Sequence, residues 1–397
     1  MDSNFSLVTH SMKTRPITSI KLGHSFLTKA MMEMFPKNFE NFDHMRNLCL
    51  VYMKLTPLCN LRCVMCGQRG DKGILKGPVG VEEAKKIPPF EVYKKFVDDV
   101  APTRPTFYLW GGEPFMYPHL FELIRHIRSR GMLATVNTNG TFLEKYAEQI
   151  VRDQWDGLFV SLDGFEEVND AIRGKGSYQN VVRGFEALNR EKERQKSDLP
   201  FLSVVTTVTN KNYEYLADLA TAMKDFKLAW HIFNLGTYTN DNIVAAQKKL
   251  MKERFDTDID CLEAYNTGYN TGIDGKKLHS ILDALHGRDF GHPMVTVPTL
   301  NPEKTHEYYA ELETPVRNHC PVPWCQCNVN YDGSVHFCAD YPDYVLGNLK
   351  EQSISEIYNG ERANKFRREL HNAPDGMFPG CLRCYQNMLF GKKVKGF

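Results

Sequence analysis

Residues 51–68 read VYMKLTPLCNLRCVMCGQ. The first six are rich in the β-branched and aromatic residues typical of a strand, and Cys59, Cys63 and Cys66 follow at once with the spacing Cys-x3-Cys-x2-Cys. Thiolates are the ligands that iron–sulfur clusters prefer, so three on one short loop suit one face of an iron–sulfur cube. Three ligands rather than four leave one iron open to a substrate. A zinc knuckle or a set of buried thiols is the alternative.

Short strand patterns and helical patterns alternate from Leu50 onward, as in the βαβ units of a parallel sheet. We predict strands at 51–56, 106–110, 133–137, 157–162, 202–208 and 229–234, with helices at 118–130, 143–152, 178–190 and 213–226 between them. The pattern predicts an α/β fold in which six parallel strands carry their connecting helices on the outside.

Glycine-rich and polar motifs follow these predicted strands. Residues 110–114 read WGGEP, residues 136–141 read VNTNGT and residues 160–164 read VSLDG. Paired glycines allow the backbone to approach a ligand closely, and Glu113 offers an acceptor for an ammonium group. Because barrel and open α/β enzymes place their chemistry at the carboxyl ends of parallel strands, we expect these motifs to meet at one edge of the sheet.

The cysteine loop and the strand-end motifs together resemble those of the radical S-adenosylmethionine (SAM) superfamily. The resemblance implies a partial (β/α)6 TIM-like barrel in which Cys59, Cys63 and Cys66 hold a [4Fe–4S] cluster and its open iron binds SAM. It implies an oxidoreductase that cleaves SAM reductively and abstracts a substrate hydrogen atom with the 5′-deoxyadenosyl radical. The implied SAM contacts are Gly111, Gly112, Glu113, Pro114, Asn139, Ser161, Asp163 and Arg173. Met65 departs from the family, which usually has an aromatic residue there.

A second group of cysteines lies near the C-terminus. The pattern Cys320-x12-Gly333-x4-Cys338, followed by Cys381-x2-Cys384, resembles the SPASM and twitch extensions of the same superfamily. Because no cysteine follows Cys384, the resemblance implies one auxiliary [4Fe–4S] cluster, of the twitch type, held by these four thiolates. Cys325 and Cys327 are interpreted as spare cysteines that do not ligate the cluster. The alternative is that one of them replaces Cys320 as a ligand. A zinc ribbon is the alternative for the whole set.

We expect four segments along the chain. Residues 1–48 form an N-terminal extension with an amphipathic stretch at 25–35, and residues 49–235 form the barrel. Residues 236–318 form an irregular insertion that serves as a substrate lid, and its repeated Tyr-Asn-Thr-Gly sequence at 265–272 is interpreted as a turn-rich loop. Residues 319–397 form a small hairpin–helix iron–sulfur extension. The isolated Cys49 and Cys261 are interpreted as small core residues.

Composition excludes several classes of function. The net charge is +1, from 49 basic and 48 acidic side chains, so no global attraction to nucleic acid or membrane is expected. Neither a long apolar run nor a secretory signal is apparent, and we expect a cytoplasmic protein whose 11 cysteines favour metal binding over disulfides.

Three functions remain open on the sequence. The first is a radical SAM enzyme acting on a small molecule, with the auxiliary cluster assisting oxidation or bond formation. The second is a maturase of a ribosomally made peptide, and the third is a non-catalytic iron–sulfur electron carrier or zinc scaffold. Either enzyme would need an external one-electron reductant of the flavodoxin or ferredoxin type. The candidates for the general base are Tyr108, Asp163, His231 and Tyr238, and the sequence does not rank them. Val205 and Thr207, on the fifth predicted strand, are expected beside the adenine of SAM.

Overall fold

One ten-stranded sheet organises the part of the chain that the computed structural model describes, residues 43–339 and 341–394. Its first seven strands are parallel neighbours in chain order. They are β1 (Leu50–Lys54), β2 (Thr106–Trp110), β3 (Ala134–Thr138), β4 (Gly157–Ser161), β5 (Phe201–Thr207), β6 (Trp230–Asn234) and β7 (Met294–Val297). The amphipathic stretch expected at 25–35 lies outside the described residues.

The C-terminal segment extends the same sheet on the other side of β1. A short strand β8 (Arg317–Asn318) comes first, and then β9 (Gln326–Val329) pairs in parallel with β1. Strand β10 (Ser334–His336) is antiparallel to β9, and β11 (Gly347–Asn348) is antiparallel to β10. The last strand, β12 (Lys392–Lys393), pairs with β8 in a separate two-stranded sheet.

The α-helices connect and flank these strands. They are α1 (Pro78–Ala84), α2 (Phe90–Val100), α3 (Leu120–Ser129), α4 (Leu143–Arg152), α5 (Glu166–Arg173), α6 (Ser177–Gln195), α7 (Leu216–Met223), α8 (Asp241–Phe255), α9 (Gly275–His286), α10 (Pro302–Ala310), α11 (Val322–Cys325), α12 (Ile354–Asn359), α13 (Glu361–His371) and α14 (Tyr385–Phe390). Helix α3 is typical, because Leu120, Leu123, Ile124 and Ile127 recur at helical spacing and are all buried.

The alternation along each strand separates a helix-facing side from an inward side. Val51, Leu109 and Val160 face the helices and are fully buried in one hydrophobic core. The inward side carries a row of aromatic rings, Tyr52, Tyr108, Phe159, Phe201 and Trp230, with successive centroids 4.7, 5.8, 5.9 and 4.9 Å apart. These rings fill the lower part of the inward side, and the polar residues lie above them, at the carboxyl ends of the strands.

The predicted α/β fold with a partial TIM-like barrel is confirmed, and the six predicted strands lie within two residues of β1 to β6. The prediction of an irregular insertion at 236–318 does not hold. That segment contains α8, α9, α10 and the seventh parallel strand, β7. The side chain of Asn240 accepts a hydrogen bond from the backbone N–H of Ile243, which is an ordinary helix N-cap. Within residues 43–339 and 341–394, no helix is long and apolar enough to span a bilayer.

Candidate active site

The inward-facing residue at the end of each strand contributes to one rim. Around the carboxyl edge these residues are Lys54 on β1, Trp110 on β2, Asn137 on β3, Ser161 on β4, Thr207 on β5 and Asn234 on β6. All but Lys54 are half-buried, and Lys54 is 7% exposed. The motifs expected at this edge are therefore brought together, as the parallel topology requires.

The cysteine loop lies directly on this rim. Cys66 N–H donates to the Cys63 carbonyl at 3.0 Å, which closes a tight turn, and Val64 N–H donates to the Ile172 carbonyl at the end of α5. Backbone N–H groups of Leu61 and Gln68 donate to the sulfurs of Cys59 and Cys66, both at 3.4 Å. N–H···S bonds of this kind favour a ligating thiolate and tune the potential of a bound cluster.

The two glycines of the WGGEP motif let β2 approach the cysteine loop itself. A Cβ at Gly112 would lie 1.9 Å from the carbonyl oxygen of Leu58, and Glu113 N–H donates to that same carbonyl at 2.6 Å. Gly111 has φ of +109°, and a Cβ there would be 2.7 Å from the Lys54 side chain. The close approach that we expected toward a ligand is thus made, in this structure, toward the loop that presents the thiols.

Glu113 and Asn139 hold the edges of β2 and β3 together. The Glu113 carboxylate is fully buried and accepts hydrogen bonds from Thr138 Oγ1 at 2.7 Å, Asn139 N–H at 2.8 Å and Phe115 N–H at 3.3 Å. Burial raises the pKa of Glu113 to about 7, and these three donors oppose the rise. Asn139 Nδ2 donates to Asn60 Oδ1 at 2.8 Å and lies 3.7 Å from the Cys59 sulfur.

Arg173 and Asp163 form a buried ion pair beside Cys63. The Nε of Arg173 lies 2.7 Å from Asp163 Oδ2, although the two atoms are not aligned for a hydrogen bond. Arg173 Nη1 lies 3.9 Å from the Cys63 sulfur. Burial raises the pKa of the Cys63 thiol to about 12, and the guanidinium opposes that rise. A surface role for Arg173 is excluded, since it is 8% exposed and packs against the cysteine loop.

The residues present suit both a cluster and SAM. Among the described residues, no three His, Cys, Asp or Glu side chains are close enough to hold a single metal ion. A cubane requires a different arrangement, because each thiolate ligates a different corner. On the inward rim, Asn137 Oδ1 is buried without a hydrogen-bond partner among the described residues. Burying an unsatisfied acceptor costs about 1–3 kcal/mol. A polar group of a bound ligand that donates a hydrogen bond to this oxygen would remove that cost.

The second cysteine group lies on three segments that converge. The buried Asn387 donates through Nδ2 to the Arg317 carbonyl at 3.5 Å and to the Cys381 carbonyl at 3.2 Å. The adjacent Gln386 accepts through Oε1 from Ala339 N–H at 3.4 Å. The segments carrying Cys320, Cys338, Cys381 and Cys384 therefore meet around α14. Four thiols on converging segments suit a fully ligated cluster.

Cys325 and Cys327 are both buried in the protein core. Cys327 is fully buried on β9, in register with Val51 on the helix-facing side of the sheet. The Cys325 carbonyl accepts hydrogen bonds from Cys49 N–H at 2.9 Å and from the Cys49 thiol at 3.4 Å. These contacts support the interpretation of Cys49 as a core residue, and they show that Cys327 is a core residue too.

Of the four candidates for a general base, only Tyr108 lies on the inward side with its ring half-buried. His231 faces the helices, fully buried, with Nε2 2.9 Å from Thr206 Oγ1, so it does not point into the inward side of the sheet. Burial lowers the pKa of His231 to about 3. Tyr238 is buried and donates its hydroxyl to the Val208 carbonyl at 2.5 Å, and Asp163 is paired with Arg173.

A cavity lies between the two cysteine groups. Gly67 and Gln68, next to Cys66, line one side, and Ala339, next to Cys338, lines another. Lys54 and Trp110 line it from the strand ends, and Tyr265 covers it from the segment after α8. The free volume there is about 10 Å³, which is room for a single water molecule. Sequence reasoning missed Lys54 and Asn137, although a lysine inside the apolar run VYMKL was a signal of a buried charge.

Family models agree with this geometry. The Radical SAM superfamily model matches residues 53–225, and the SPASM model, an iron–sulfur cluster-binding domain, matches residues 320–385. The chain belongs to the radical SAM superfamily. It is an enzyme, so the electron-carrier and scaffold alternatives are wrong. Its cofactors are a [4Fe–4S] cluster, SAM and auxiliary iron–sulfur cluster, as expected from the sequence.

The proteins that are similar to this radical SAM enzyme have names that describe different activities. It is 26% identical over 313 residues to the Fe-coproporphyrin III synthase of Methanosarcina barkeri, covering 78% of this chain and 73% of the relative. It is 27% identical over 197 residues to the mycofactocin maturase MftC of Mycobacterium tuberculosis, covering 48% of this chain and 46% of the relative. The crystal structure of Streptococcus suis SuiB bound to S-adenosylmethionine has the same fold, with a TM-score of 0.58 at 12% identity, covering 86% of this chain and 72% of SuiB.

Proposed function

We propose that this radical SAM enzyme abstracts a hydrogen atom from a small organic molecule held between its two cysteine groups. The observation that carries the proposal is the cavity, which is lined by the neighbours of Cys66 on one side and by the neighbour of Cys338 on the other. A molecule there would lie between the SAM site and the auxiliary site. The free volume there is about 10 Å³, so a substrate would enter only as the segment that carries Tyr265 moves.

The proposed roles follow from the contacts. Cys59, Cys63 and Cys66 would hold the SAM-binding cluster, and Cys320, Cys338, Cys381 and Cys384 the auxiliary one. When bound, the first cluster supplies the electron that cleaves SAM to the hydrogen-abstracting radical. Glu113 accepts three of the about four hydrogen bonds open to a carboxylate and would accept the fourth from the SAM ammonium. Asn137 and Ser161 would face SAM from the rim, and Arg173 would orient Cys63 and the SAM carboxylate.

The segment 236–318 would act as the substrate cover. The Tyr265 ring packs on Gly67, where a Cβ would lie 2.9 Å from it. A cover that contacts the cysteine loop excludes water from the site of radical chemistry. The enzyme would take its electrons from a flavodoxin- or ferredoxin-type protein in the cytoplasm, consistent with eleven cysteines that are all free of disulfides.

The second candidate function is the maturation of a ribosomally made peptide. The similarity to the maturase MftC favours it. Against it, the ring of Tyr265 covers the space between the two cysteine groups, where an extended peptide would have to pass.

Anaerobic turnover tests the proposal. The reconstituted, reduced enzyme should convert SAM to 5′-deoxyadenosine, and a Cys63→Ala variant should lose that product by at least about a hundredfold. Cys49→Ala, which removes a buried cysteine at the other end of β1 from the cysteine loop, is the matched control and should retain it. Iron analysis should give about eight irons per chain for two cubanes. Turnover that survives in Cys63→Ala would contradict the proposal.

A further inference from the structure

A buried arginine lies within the last cysteine pair of the second group, between Cys381 and Cys384. Arg383 is 1% exposed, and all five N–H donors of its guanidinium are used. Each donates to a backbone carbonyl at 2.8–3.3 Å, and the five acceptors belong to Glu307, Tyr308, Glu311, Thr314 and Leu382. The first three lie at the C-terminal end of α10, so Arg383 caps that helix and fastens the cysteine pair to the segment 236–318.

All the hydrogen-bond acceptors of Arg383 are uncharged. Among residues 43–339 and 341–394, no Asp or Glu side chain forms an ion pair with the guanidinium. The nearby Glu307 carboxylate is paired with Lys304, and that of Glu311 accepts a hydrogen bond from Thr314 Oγ1 at 3.2 Å. The carbonyl end of α10 offsets roughly half an elementary charge. Because a buried charge is costly unless it is paired, the rest of the charge on Arg383 requires a negative partner.

The cysteine pair itself offers that negative charge. The buried ring of Tyr308 lies with its centroid 4.8 Å from the guanidinium carbon of Arg383. Burial raises the pKa of Tyr308, Arg383 lowers it and Cys384 raises it, so the arginine and the cysteine act on the same ring. Four thiolates around a [4Fe–4S] core carry a net charge of about −2 when the core is oxidised and about −3 after one-electron reduction. A fixed positive charge beside them stabilises the reduced state more than the oxidised state.

We propose that Arg383 is the counter-charge of the auxiliary cluster and raises its reduction potential. This rests on the proposed function, since it takes Cys381 and Cys384 as ligands of that cluster. Reduction adds one electron and breaks no bond, and the buried charge favours it because the protein screens the interaction less than water does. The first cysteine group differs, because Arg173 beside Cys63 is already paired with Asp163.

A redox titration followed by electron paramagnetic resonance tests the charge without turnover. The reconstituted enzyme would be reduced stepwise with titanium(III) citrate, with and without SAM, and the signal that SAM leaves unaltered is that of the auxiliary cluster. Arg383→Gln should lower the equilibrium constant for reduction of this cluster at least about tenfold, a fall of about 59 mV. The signal that SAM alters is the internal control and should keep its potential. An unchanged auxiliary potential in a variant with wild-type iron content would overturn the inference.

Arg383→Lys separates the charge from the hydrogen bonds. Lysine keeps the positive charge but has three donors for five carbonyls, so thermal stability should fall while the auxiliary potential stays at the wild-type value. Arg190→Gln makes the neutralising change at an exposed position on α6 and should alter neither. If Arg383→Gln takes up no iron, Arg383→Lys decides. A tenfold loss in its equilibrium constant for reduction would show that the hydrogen bonds set the potential, and would overturn the inference.

The two proposals fail separately. An enzyme that forms 5′-deoxyadenosine, but whose auxiliary potential does not respond to Arg383→Gln, retains the proposed function and loses the role of Arg383. An enzyme whose auxiliary potential falls in Arg383→Gln, but which does not cleave SAM, loses the proposed function.

Discussion

At the scale of single residues, burial decides how a side chain is interpreted. The sequence placed Arg173 among the implied SAM contacts, and the structure buries it between Asp163 and Cys63. Lys54 was not predicted as a site residue. Strand alternation shows which residues share a face with Lys54, but it does not show whether that face points into the barrel. The cysteine motif itself needed no structure, because its spacing is local.

His231 predicts a pH effect on stability. Its pKa is lowered from 6.5 to about 3 in the folded protein, so the unfolded chain binds an extra proton between these values. His231 should therefore contribute a loss of stability as pH falls below about 6.5, of ~2 kcal/mol at pH 5 relative to pH 7.5. In urea unfolding, the change in stability from pH 7.5 to pH 5 should be less unfavourable in His231→Phe than in the wild type by this ~2 kcal/mol. The exposed control His306→Gln should keep it; an equal pH effect in His231→Phe would contradict the assignment.

At the scale of elements, local sequence patterns predicted the strands correctly. They did not predict the contacts between segments that are distant in the chain. The predicted strands coincide with β1 to β6 because each is a short β-branched run between helical patterns. The prediction for the segment 236–318 was wrong because its Tyr-Asn-Thr-Gly repeat is typical of loops, whereas the cap at Asn240 is a single residue and β7 is only four residues long. The glycines of WGGEP were recognised, but their contact with Leu58 depends on how two elements pack.

Gly112→Ala should separate the cysteine loop from β2. The added methyl would lie 1.9 Å from the Leu58 carbonyl oxygen, so the loop must shift, at a cost of about 1–3 kcal/mol. Far-UV circular dichroism should stay unchanged, while iron content and 5′-deoxyadenosine formation should fall at least about tenfold. In Gly287→Ala the nearest atom is 3.6 Å away and φ is −80°, so it should behave as wild type. Full activity in Gly112→Ala would show that the loop tolerates the shift.

At the scale of the whole molecule, the barrel and the C-terminal segment share one sheet and one core. Strand β9 pairs with β1, and Val329, Val335 and Phe337 lie in the same hydrophobic cluster as Val51 and Leu109. The sequence predicted a small hairpin–helix extension, but it contained no local signal for the parallel pairing of strands about 270 residues apart.

Truncation tests this continuity. A chain that ends at residue 318 would lose β9 and so expose the edge of β1 together with part of the core. Because an unpaired apolar edge aggregates, we expect this protein in the pellet after lysis. A control that lacks only residues 392–397 loses the pairing of β12 with β8 and should remain in the supernatant. A monomeric, native-like 1–318 protein would show that the barrel folds alone.

The row of rings from Tyr52 to Trp230 limits where a ligand could bind inside the barrel. It occupies the amino-terminal half of the inward side, so the reactants of the proposed function would be positioned by the polar residues at the carboxyl ends of the strands and not deeper in the barrel.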